Sequence, residues 1–437
     1  MSFPRHRKYK DSGVEWLGDV PEHWDTVRLK NLLSEVDDRV ETREVELLGI
    51  SKSLGVVPRS ELEQGASESD NYGKYKIARA GQLVMNKMQA WNGVFGLSPV
   101  TGMVSPDYAV FRFLREGMAY YLCTLFKTEL MSGVFFTKCR GMGTAFLRLN
   151  TGDFFDIKIP VPPPSELHTI AAFLDREAAK IDELVGEQQR LIELLKEKRQ
   201  AVISHAVTKG LNPHAPMKRS GIEWLGEVPE HWEFGTLKRF WDVVDCKHVT
   251  VPFLEEGFPV ASVMEVRGFD LDLSHVLRTS EEFYKLLIGG DRQPLRGDII
   301  YCRNTANTGT SAYVWTDEPI AIGQDVVLIK SRRQNGRYLN YILHGDFMAG
   351  QLDTLMVGST FKRINVADIR MLMVVCPPRA EQDEIVRFID SKTPKFDTLI
   401  VEAQRGIDLL RERRTALISA AVTGKIDVRG LVATEAA

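Results

Sequence analysis

A chain of 437 residues, 44% hydrophobic and 26% charged, has room for about two to four soluble globular domains. Its net charge of −3 excludes a simple basic nucleic-acid-binding module, so any such surface is local or completed by partner subunits. There is no apolar run of the roughly 18 residues a membrane span needs, no apolar stretch behind the basic start Met1–Lys10 to make a signal peptide, and no local Cys-x-x-Cys among five cysteines at least 16 residues apart, a spacing that suits a reducing cytoplasm.

The first distinctive stretch is Ser12-Gly-Val-Glu-Trp-Leu-Gly-Asp-Val-Pro-Glu-His-Trp24. It returns 208 residues later as Ser220-Gly-Ile-Glu-Trp-Leu-Gly-Glu-Val-Pro-Glu-His-Trp232, with 11 of 13 positions identical. A period this long exceeds a solenoid repeat and suits two similar domains about a pseudo-two-fold axis. Trp16, Leu17 and Trp24 read as anchors that pin an extended segment by packing, ahead of any binding role.

Residues 25 to about 160 read as mixed α/β. Leu47–Ile50, Gln82–Met85, Tyr108–Phe113 and Asp156–Val161 are apolar runs of strand length, punctuated by Gly and Pro. Met118 to Leu130 carries apolar residues at helical spacing. Two loops here are polar and glycine-flanked, Asn86–Gly93 and Lys138–Arg148. Pro160-Val-Pro-Pro-Pro164 closes the domain, since a proline run cannot pair in a sheet. A helical stretch from Ser165 to Thr208 follows. Its apolar positions Ile181, Leu184, Leu191 and Leu195 predict the seam of a helix lying along another helix. Gly210 and Pro213 end it.

The second half repeats this order. An α/β region from 233 to about 376 carries the loops Arg303–Gly309 and Gly358–Asn365, and Pro377-Pro378 closes it. A helical stretch over about 380–422 has a predicted seam of Phe396, Leu399, Leu410 and Leu417. Thr393-Pro394 predicts a break, with a short helix over 380–391 and a long one over 394–422 spanning roughly 40 Å. The helical stretches align at an offset of 215, as in Asp175 with Asp390 and Asp182 with Asp397, against 208 for the anchors. The insertions therefore lie inside the α/β regions, which otherwise diverge. The charge runs Lys196–Arg199 and Arg411–Arg414 read as solvated faces or interhelical ion pairs, with DNA backbone as the other reading.

No catalytic set is evident. The chain lacks a Gly-x-x-x-x-Gly-Lys-Ser/Thr loop and the proline-aromatic motif of a base methyltransferase. No compact Asp…Glu-x-Lys nuclease set stands out, and the nine histidines show no metal-ligand spacing. The polar loops read instead as contact surfaces, although any one residue in them also fits a solvated turn. Lys87, Gln89 and Trp91 combine a phosphate-seeking charge, an amide suited to adenine and a stacking ring. Arg303, Asn304, Asn307 and Thr308 offer a guanine-reading fork, amides and a hydroxyl. Arg140, Thr144, Arg148, Lys362 and Arg363 offer hydroxyls and cations for phosphates.

Taken together, these motifs resemble the specificity (S) subunits of type I restriction–modification systems. The resemblance rests on the duplicated Gly-Val/Ile-Glu-Trp-Leu-Gly-x-Val-Pro-x-His-Trp anchor, on Gly81-x-Leu-Val-x-Asn-Lys-Met-x-Ala-Trp91, and on the repeated Pro-Pro-x-x-Glu and Ile-Ser-x-Ala-Val-Thr helical segments, and it covers nearly the whole chain. Cys302 to Gly309 departs from the Asn-Lys-Met-x-Ala-Trp wording, so contacts expected of the first loop do not transfer to it.

The resemblance implies an α+β fold with two mixed α/β target recognition domains joined by two long antiparallel, coiled-coil-like helical repeats. The expected domains are an anchor and recognition domain over 1–164, a helical spacer over 165–211, a second anchor and recognition domain over 212–378, a helical repeat over 379–425 and a tail over 426–437. The implied role is that of a non-catalytic, cytoplasmic subunit of bacteria or archaea. Each domain would read half of a split site in double-stranded DNA. The helices would act as a ruler and dock two modification (methyltransferase) subunits carrying S-adenosylmethionine. Two restriction subunits would bring ATP- and Mg2+-dependent translocation and cleavage. The chain itself would hold no cofactor or metal and touch no membrane. The competing readings are a self-contained DNA-modifying enzyme and a coiled-coil scaffold that binds no DNA.

Overall fold

The computed structural model describes residues 3–39, 45–62, 74–141, 147–222, 225–303, 310–355 and 363–431. The chain divides into two compact units, Met1–Gln188 with Arg405–Ala437, and Gln189–Gln404.

In the first unit the anchor motif is a hairpin. Strand β1 (Tyr9–Asp11) pairs antiparallel with β2 (Asp19–Pro21), and the intervening turn carries Gly13 and Gly18, both at φ +65°. Strand β3 (Asp25–Arg28) leads into β4 (Leu33–Val36), then the hairpin β5 (Leu48–Ser51) and β6 (Gly55–Pro58). Next come β7 (Lys76–Ala78), β8 (Leu83–Asn86), β9 (Phe95–Leu97), β10 (Gly102–Val104) and β11 (Tyr108–Phe113). The central sheet has the order β4-β11-β8-β9 and is antiparallel throughout.

Alternation of side chains along a strand gives this sheet two buried faces. Leu83, Met85, Ala109 and Phe111 enter one core, and Val84 and Val110 enter another with Leu48, Ile50, Val56 and Val104. The first core is covered by α1 (Met118–Phe126), α2 (Glu129–Lys138) and α3 (Thr151–Phe155). Phe95, Phe111, Phe126, Phe135 and Phe154 pack there with ring centroids 5.0–6.0 Å apart, within the range of favourable aromatic pairs. The single helical run expected over Met118–Leu130 is two helices, because Thr128 leaves the helical conformation and accepts from the Met131 amide as an N-cap. Strand β12 (Lys158–Val161) pairs with β3, and α4 (Pro164–Lys209) follows.

The second unit is built on the same plan. Its anchor hairpin is β13 (Met217–Arg219) with β14 (Glu227–Pro229), followed by β15 (Glu233–Thr236), α5 (Leu237–Phe240) and β16 (Asp242–Asp245). Then come β17 (Phe258–Ala261), β18 (Arg278–Thr279), α6 (Glu281–Ile288), β19 (Ile299–Cys302), β20 (Ser311–Tyr313), β21 (Ala321–Ile322) and β22 (Val326–Lys330). The central sheet has the order β16-β22-β19-β20, matching β4-β11-β8-β9 strand for strand. Its two faces again feed separate cores, Ile299, Tyr301, Val327 and Ile329 in one and Ile300, Cys302, Val326 and Leu328 in the other. The unit continues with α7 (Gly336–Leu343), α8 (Asp346–Leu355), α9 (Val366–Met371), β23 (Met373–Cys376), which pairs with β15, and α10 (Arg379–Val422).

Each unit joins the start of one long helix to the end of the other. In the first unit Ile170, Phe173 and Leu174 of α4 share a core with Leu417, Ala421 and Val422 of α10. Arg414 donates to Asp182 at 2.8 Å, so the two segments run antiparallel. In the second unit Ile203, Ala206 and Val207 share a core with Ile385, Val386 and Ile389, and Arg199 lies 3.0 Å from Asp397. Both charge runs thus supply interhelical ion pairs, and the pairs repeat at the offset of 215.

Two expectations for the helices need correction. Helix α10 does not break at Thr393-Pro394, for Pro394 lies inside a continuous helix of 44 residues. Proline removes one main-chain donor and crowds the preceding turn; here the buried Thr393 hydroxyl donates back to the Ile389 carbonyl at 3.0 Å and the helix carries on. The seam is also shifted. Ile181 and Leu417 are buried in it and Leu195, Phe396 and Leu410 are half-buried, but Leu184, Leu191 and Leu399 are exposed. The inward positions are Val185, Gln188, Ile192, Leu195 and Arg199 on α4. On α10 they are Thr393, Phe396, Ile400, Ala403, Ile407, Leu410 and Arg414, which step by 4 and 3 in strict alternation. Leucine at an adjacent position looked like the seam because polar Gln188, Arg199, Thr393 and Arg414 occupy part of the true one.

The anchors tie each hairpin to these helices. Trp24 and Trp232 are fully buried, and His23 and His231 pair with Glu166 and Glu381 at 2.6 and 2.8 Å. Trp24 also donates its indole N–H to Glu166 at 2.8 Å. Glycine is required where each helix ends against its tryptophan. Gly424, at φ +72°, has Pro21 Cδ 2.5 Å from where a Cβ would sit, and Gly210, at φ +77°, has a Trp232 ring carbon at 3.2 Å.

Candidate nucleic-acid interface

In the first unit the chain leaves β8 at Asn86, whose side chain accepts from the Met88 amide at 3.1 Å. One 3-10 turn over Ala90–Asn92 follows, and Gly93 closes it at φ +77°. Trp91 is half-buried; its indole N–H donates to the Met88 carbonyl at 3.0 Å, and its ring meets the edge of Phe136 on α2 at 6.1 Å. Gln89 projects into solvent. Lys87 lies 3.6 Å from Glu35 on β4, and its carbonyl accepts from the Leu149 amide at 2.9 Å.

That last bond brings the second loop alongside the first. Arg140 and Arg148 exchange main-chain hydrogen bonds of 3.0 and 2.9 Å. Arg140 donates to Asp153 at 2.8 Å and holds its carboxyl below the usual range; Arg148 donates to Asp107 at 2.9 Å. Lys87, Gln89, Trp91, Arg140 and Arg148 therefore belong to one edge of the first unit. Thr144 lies outside the described residues.

Beside this edge is a cleft of about 580 Å³ between the β5–β6 hairpin and the β8–β9 loop. Its polar walls include Lys52, Asn86, Gln89 and Asn92, and Lys52 bridges to Asn92 at 3.1 Å. Lys52 escaped the sequence reading because only the hairpin fold carries it to the loop.

The second unit repeats the scaffold of this edge and changes its side chains. The Arg303 carbonyl accepts from the Ile364 amide at 3.1 Å, as Lys87 accepts from Leu149. Arg363 pairs with Asp325 at 2.8 Å, as Arg148 pairs with Asp107. Arg303 itself is a correction. Expected to present a guanine-reading fork, it is 6% exposed and committed to Asp245 at 3.0 Å and the Ile364 carbonyl at 3.3 Å. Asn304, Asn307, Thr308 and Lys362 lie outside the described residues.

The reading of the histidines also missed one group. Asp245, Cys246 and His248, at the end of β16, each offer a ligand atom within 4.8 Å of the others. The Asp-Cys-x-His order was the available signal.

Fold and edge together define a duplicated architecture, two α/β domains with matched frames and unlike loops, each packed on a pair of antiparallel helix segments. Residues 273–400 match the family model described as Type I restriction modification DNA specificity domain. The chain is 26% identical over 306 residues to the type I restriction enzyme MjaVIII specificity subunit of Methanocaldococcus jannaschii, covering 68% of each. It is 22% identical to the putative MjaX specificity subunit of the same organism over 98% of this chain and 99% of that one. Its fold is shared with a chain from a structure of type I R-M system assembly (TM-score 0.69, 17% identity, 92% of this chain and 98% of that one). It is shared also with the HsdS subunit of Thermoanaerobacter tengcongensis (TM-score 0.56, 16% identity, 93% and 98%). The chain is a relative of the type I restriction–modification specificity subunits, the DNA-recognition subunits of these systems, as its duplicated motifs indicated. Among the described residues no helix is long and apolar enough to cross a membrane.

Proposed function

We propose that each α/β domain reads one half of a bipartite, asymmetric site in double-stranded DNA, and that the paired helices fix the spacer between the halves. The observation that carries this reading is the contrast between frame and loop. The two domains keep the same strand order, the same tie between loop and neighbouring segment, and the same Arg–Asp pair beside it. The loops hung on that frame differ, Asn86-Lys-Met-Gln-Ala-Trp in one and Cys302-Arg-Asn-Thr-Ala-Asn in the other. Phosphate contacts set position and base contacts specify sequence, so a kept frame with changed loops suits two readers of different sequences docked in the same way.

In this reading the chain is non-catalytic and works in the cytoplasm of a bacterium or archaeon. The helices dock two modification subunits, which bring S-adenosylmethionine and the adenine chemistry. Two restriction subunits join through them with ATP and Mg2+. The exposed Leu184, Leu191 and Leu399 offer apolar contact outside the helix seam. The test is base-resolution mapping of methylated adenines in DNA modified by the complex. Two unlike half-sites at fixed spacing are expected. A single continuous or palindromic site would overturn the two-reader assignment, and methylation by the purified chain alone would overturn the non-catalytic one.

A further inference from the structure

Among the described residues the cluster after β16 is the one group of three potential metal ligands in the second unit. Asp245, Cys246 and His248 bring a carboxylate, a thiol and an imidazole together within four residues. Cys246 Sγ lies 3.9 Å from His248 Nε2, and Nε2 lies 3.1 Å from Asp245 Oδ2. Metal–ligand bonds of about 2.3 Å to sulfur and about 2.0–2.2 Å to nitrogen and oxygen place tetrahedral ligands about 3.3–3.6 Å apart. The Sγ–Nε2 and Nε2–Oδ2 separations are therefore within a few tenths of an ångström of the edges of one coordination tetrahedron, and the ligand atoms of the three residues all lie within 4.8 Å of one another.

Two further features prepare the site. His248 has φ +53°, a left-handed conformation that a β-carbon disfavours, and it is this bend that returns the imidazole over the thiol. The carboxylate is held from behind. Asp245 Oδ1 accepts from the Cys246 amide at 2.9 Å and from Arg303 at 3.0 Å, leaving Oδ2 to face the imidazole. A ligating carboxylate fixed through its other oxygen is the usual outer-shell arrangement. The thiol is buried, whereas Asp245 and His248 reach solvent, with side-chain exposures of 33% and 49%. A fourth position thus opens on the outside.

We propose that Asp245 Oδ2, Cys246 Sγ and His248 Nε2 bind one borderline divalent cation of the zinc class, with water in the fourth position. The mixed sulfur, nitrogen and oxygen set favours such an ion over magnesium or calcium. The neutral imidazole, thiolate and carboxylate balance its two charges. The ion clips the bend after β16 beside Arg303, where the variable loop of the second domain begins. Among the described residues the site belongs to the second domain alone. In the first, β4 is followed by Asp37-Asp38-Arg39, and Asp37 is taken up by Arg39 and Lys76 at 3.0 and 3.3 Å.

That the clip steadies a DNA-reading edge rests on the function proposed above; that the ion binds does not, so the test uses the full chain without DNA. The purified protein is dialysed free of metal, titrated with Zn2+, and separately with Co2+ as a spectroscopic probe. One equivalent per chain is expected, with a thiolate-to-cobalt charge-transfer band. Cys246→Ser should abolish that band, and the surface variant His248→Gln should weaken binding at least about tenfold. Cys123→Ser, in the other unit, should leave both unchanged. No stoichiometric uptake by the wild-type chain would overturn the site, as would a band and affinity unaltered in His248→Gln. Failure of the site leaves the two-reader proposal intact, and failure of DNA mapping leaves the metal titration intact.

Discussion

The hydroxyl of Tyr121 donates to the carbonyl of Val422 at 2.8 Å, joining the first helix of the first α/β domain to the last residue of α10. The same oxygen lies 2.7 Å from the carbonyl of Pro160. In the second unit Tyr338 donates to Val207 near the end of α4 at 3.1 Å. Each domain thus satisfies a carbonyl that the closing turn of a helix leaves without an intrahelical donor. Tyr121→Phe keeps the ring and removes the single hydroxyl proton that these two buried carbonyls share, a loss of about 1–3 kcal/mol. Thermal unfolding should show a lower midpoint for the variant; an unchanged midpoint would mean that the bond holds nothing.

The anchor of the first unit carries a pH dependence. His6 is buried among His23, Glu166, Asp427 and Arg429, and burial pulls its pKa below 6.5. The folded imidazole stays neutral where the unfolded one takes a proton. The unfolded chain therefore binds more protons, and stability falls as pH drops from 6.5 toward the lowered folded value. Asp427 does not share this window, because Arg429 holds its carboxyl at about 2 and its own contribution is lost only below 3.8. Urea unfolding midpoints at pH about 7.5 and about 5.5 should fall further apart in the wild type than in His6→Gln. Equal separations would remove His6 from the account.

Arg303 distinguishes packing from reading. Its guanidinium is buried between Asp245 and the Ile364 carbonyl, yet Asp245 is one-third exposed, so Arg303→Met should cost about 1–3 kcal/mol and not the larger penalty of a fully buried broken pair. Calorimetry of the free chain should record that loss. If stability were unaltered and only DNA recognition changed, Arg303 would be a base-reading residue after all.

How far the sequence revealed these features depended on which physical signal each one leaves. Duplicated tryptophans and helical periodicity are local, so the anchors, the long helices and the 215-residue offset were legible. Seam register was not, because Gln188, Arg199, Thr393 and Arg414 take inward positions while Leu184, Leu191 and Leu399 look outward. The hydrophobic pattern pointed one residue away. Pro394 misled for a related reason, since local propensity yields to the packing of a long helix. The first edge was partly legible, since Lys87, Gln89 and Trp91 lie on one loop. Its link to Arg148 runs through the main-chain bond of Leu149 to Lys87, which side chains do not encode. The burial of Arg303 depends on Asp245, 58 residues away.

Gln89 is the residue of the first edge that structure commits least. Its side chain is exposed and makes no cap to the turn it precedes. Gln89→Ala should leave stability within about 0.5 kcal/mol and alter the half-site read by the first domain alone. Methylation mapping with the modification subunit checks this. Unchanged sequence preference in both halves would remove Gln89 from the reading surface.

The helical seam makes the spacer prediction sharper than length alone. Inward positions on α10 step by 4 and 3, so the packing repeats every seven residues, and only an insertion of seven in both helices keeps it. Gln188 and Gly406 face one another, the glutamine oxygen lying 4.0 Å from where a Gly406 Cβ would sit, and they mark matched insertion points. Seven residues add about 10 Å of helix, or about three base pairs. The double insertion should lengthen the spacer by about that amount with both half-sites unchanged. The same insertion in α4 alone should lower the unfolding midpoint, because one seam then slides past the other. Mapping that finds new half-site bases at the old spacing would show that the helices shape the readers and do not measure the distance between them.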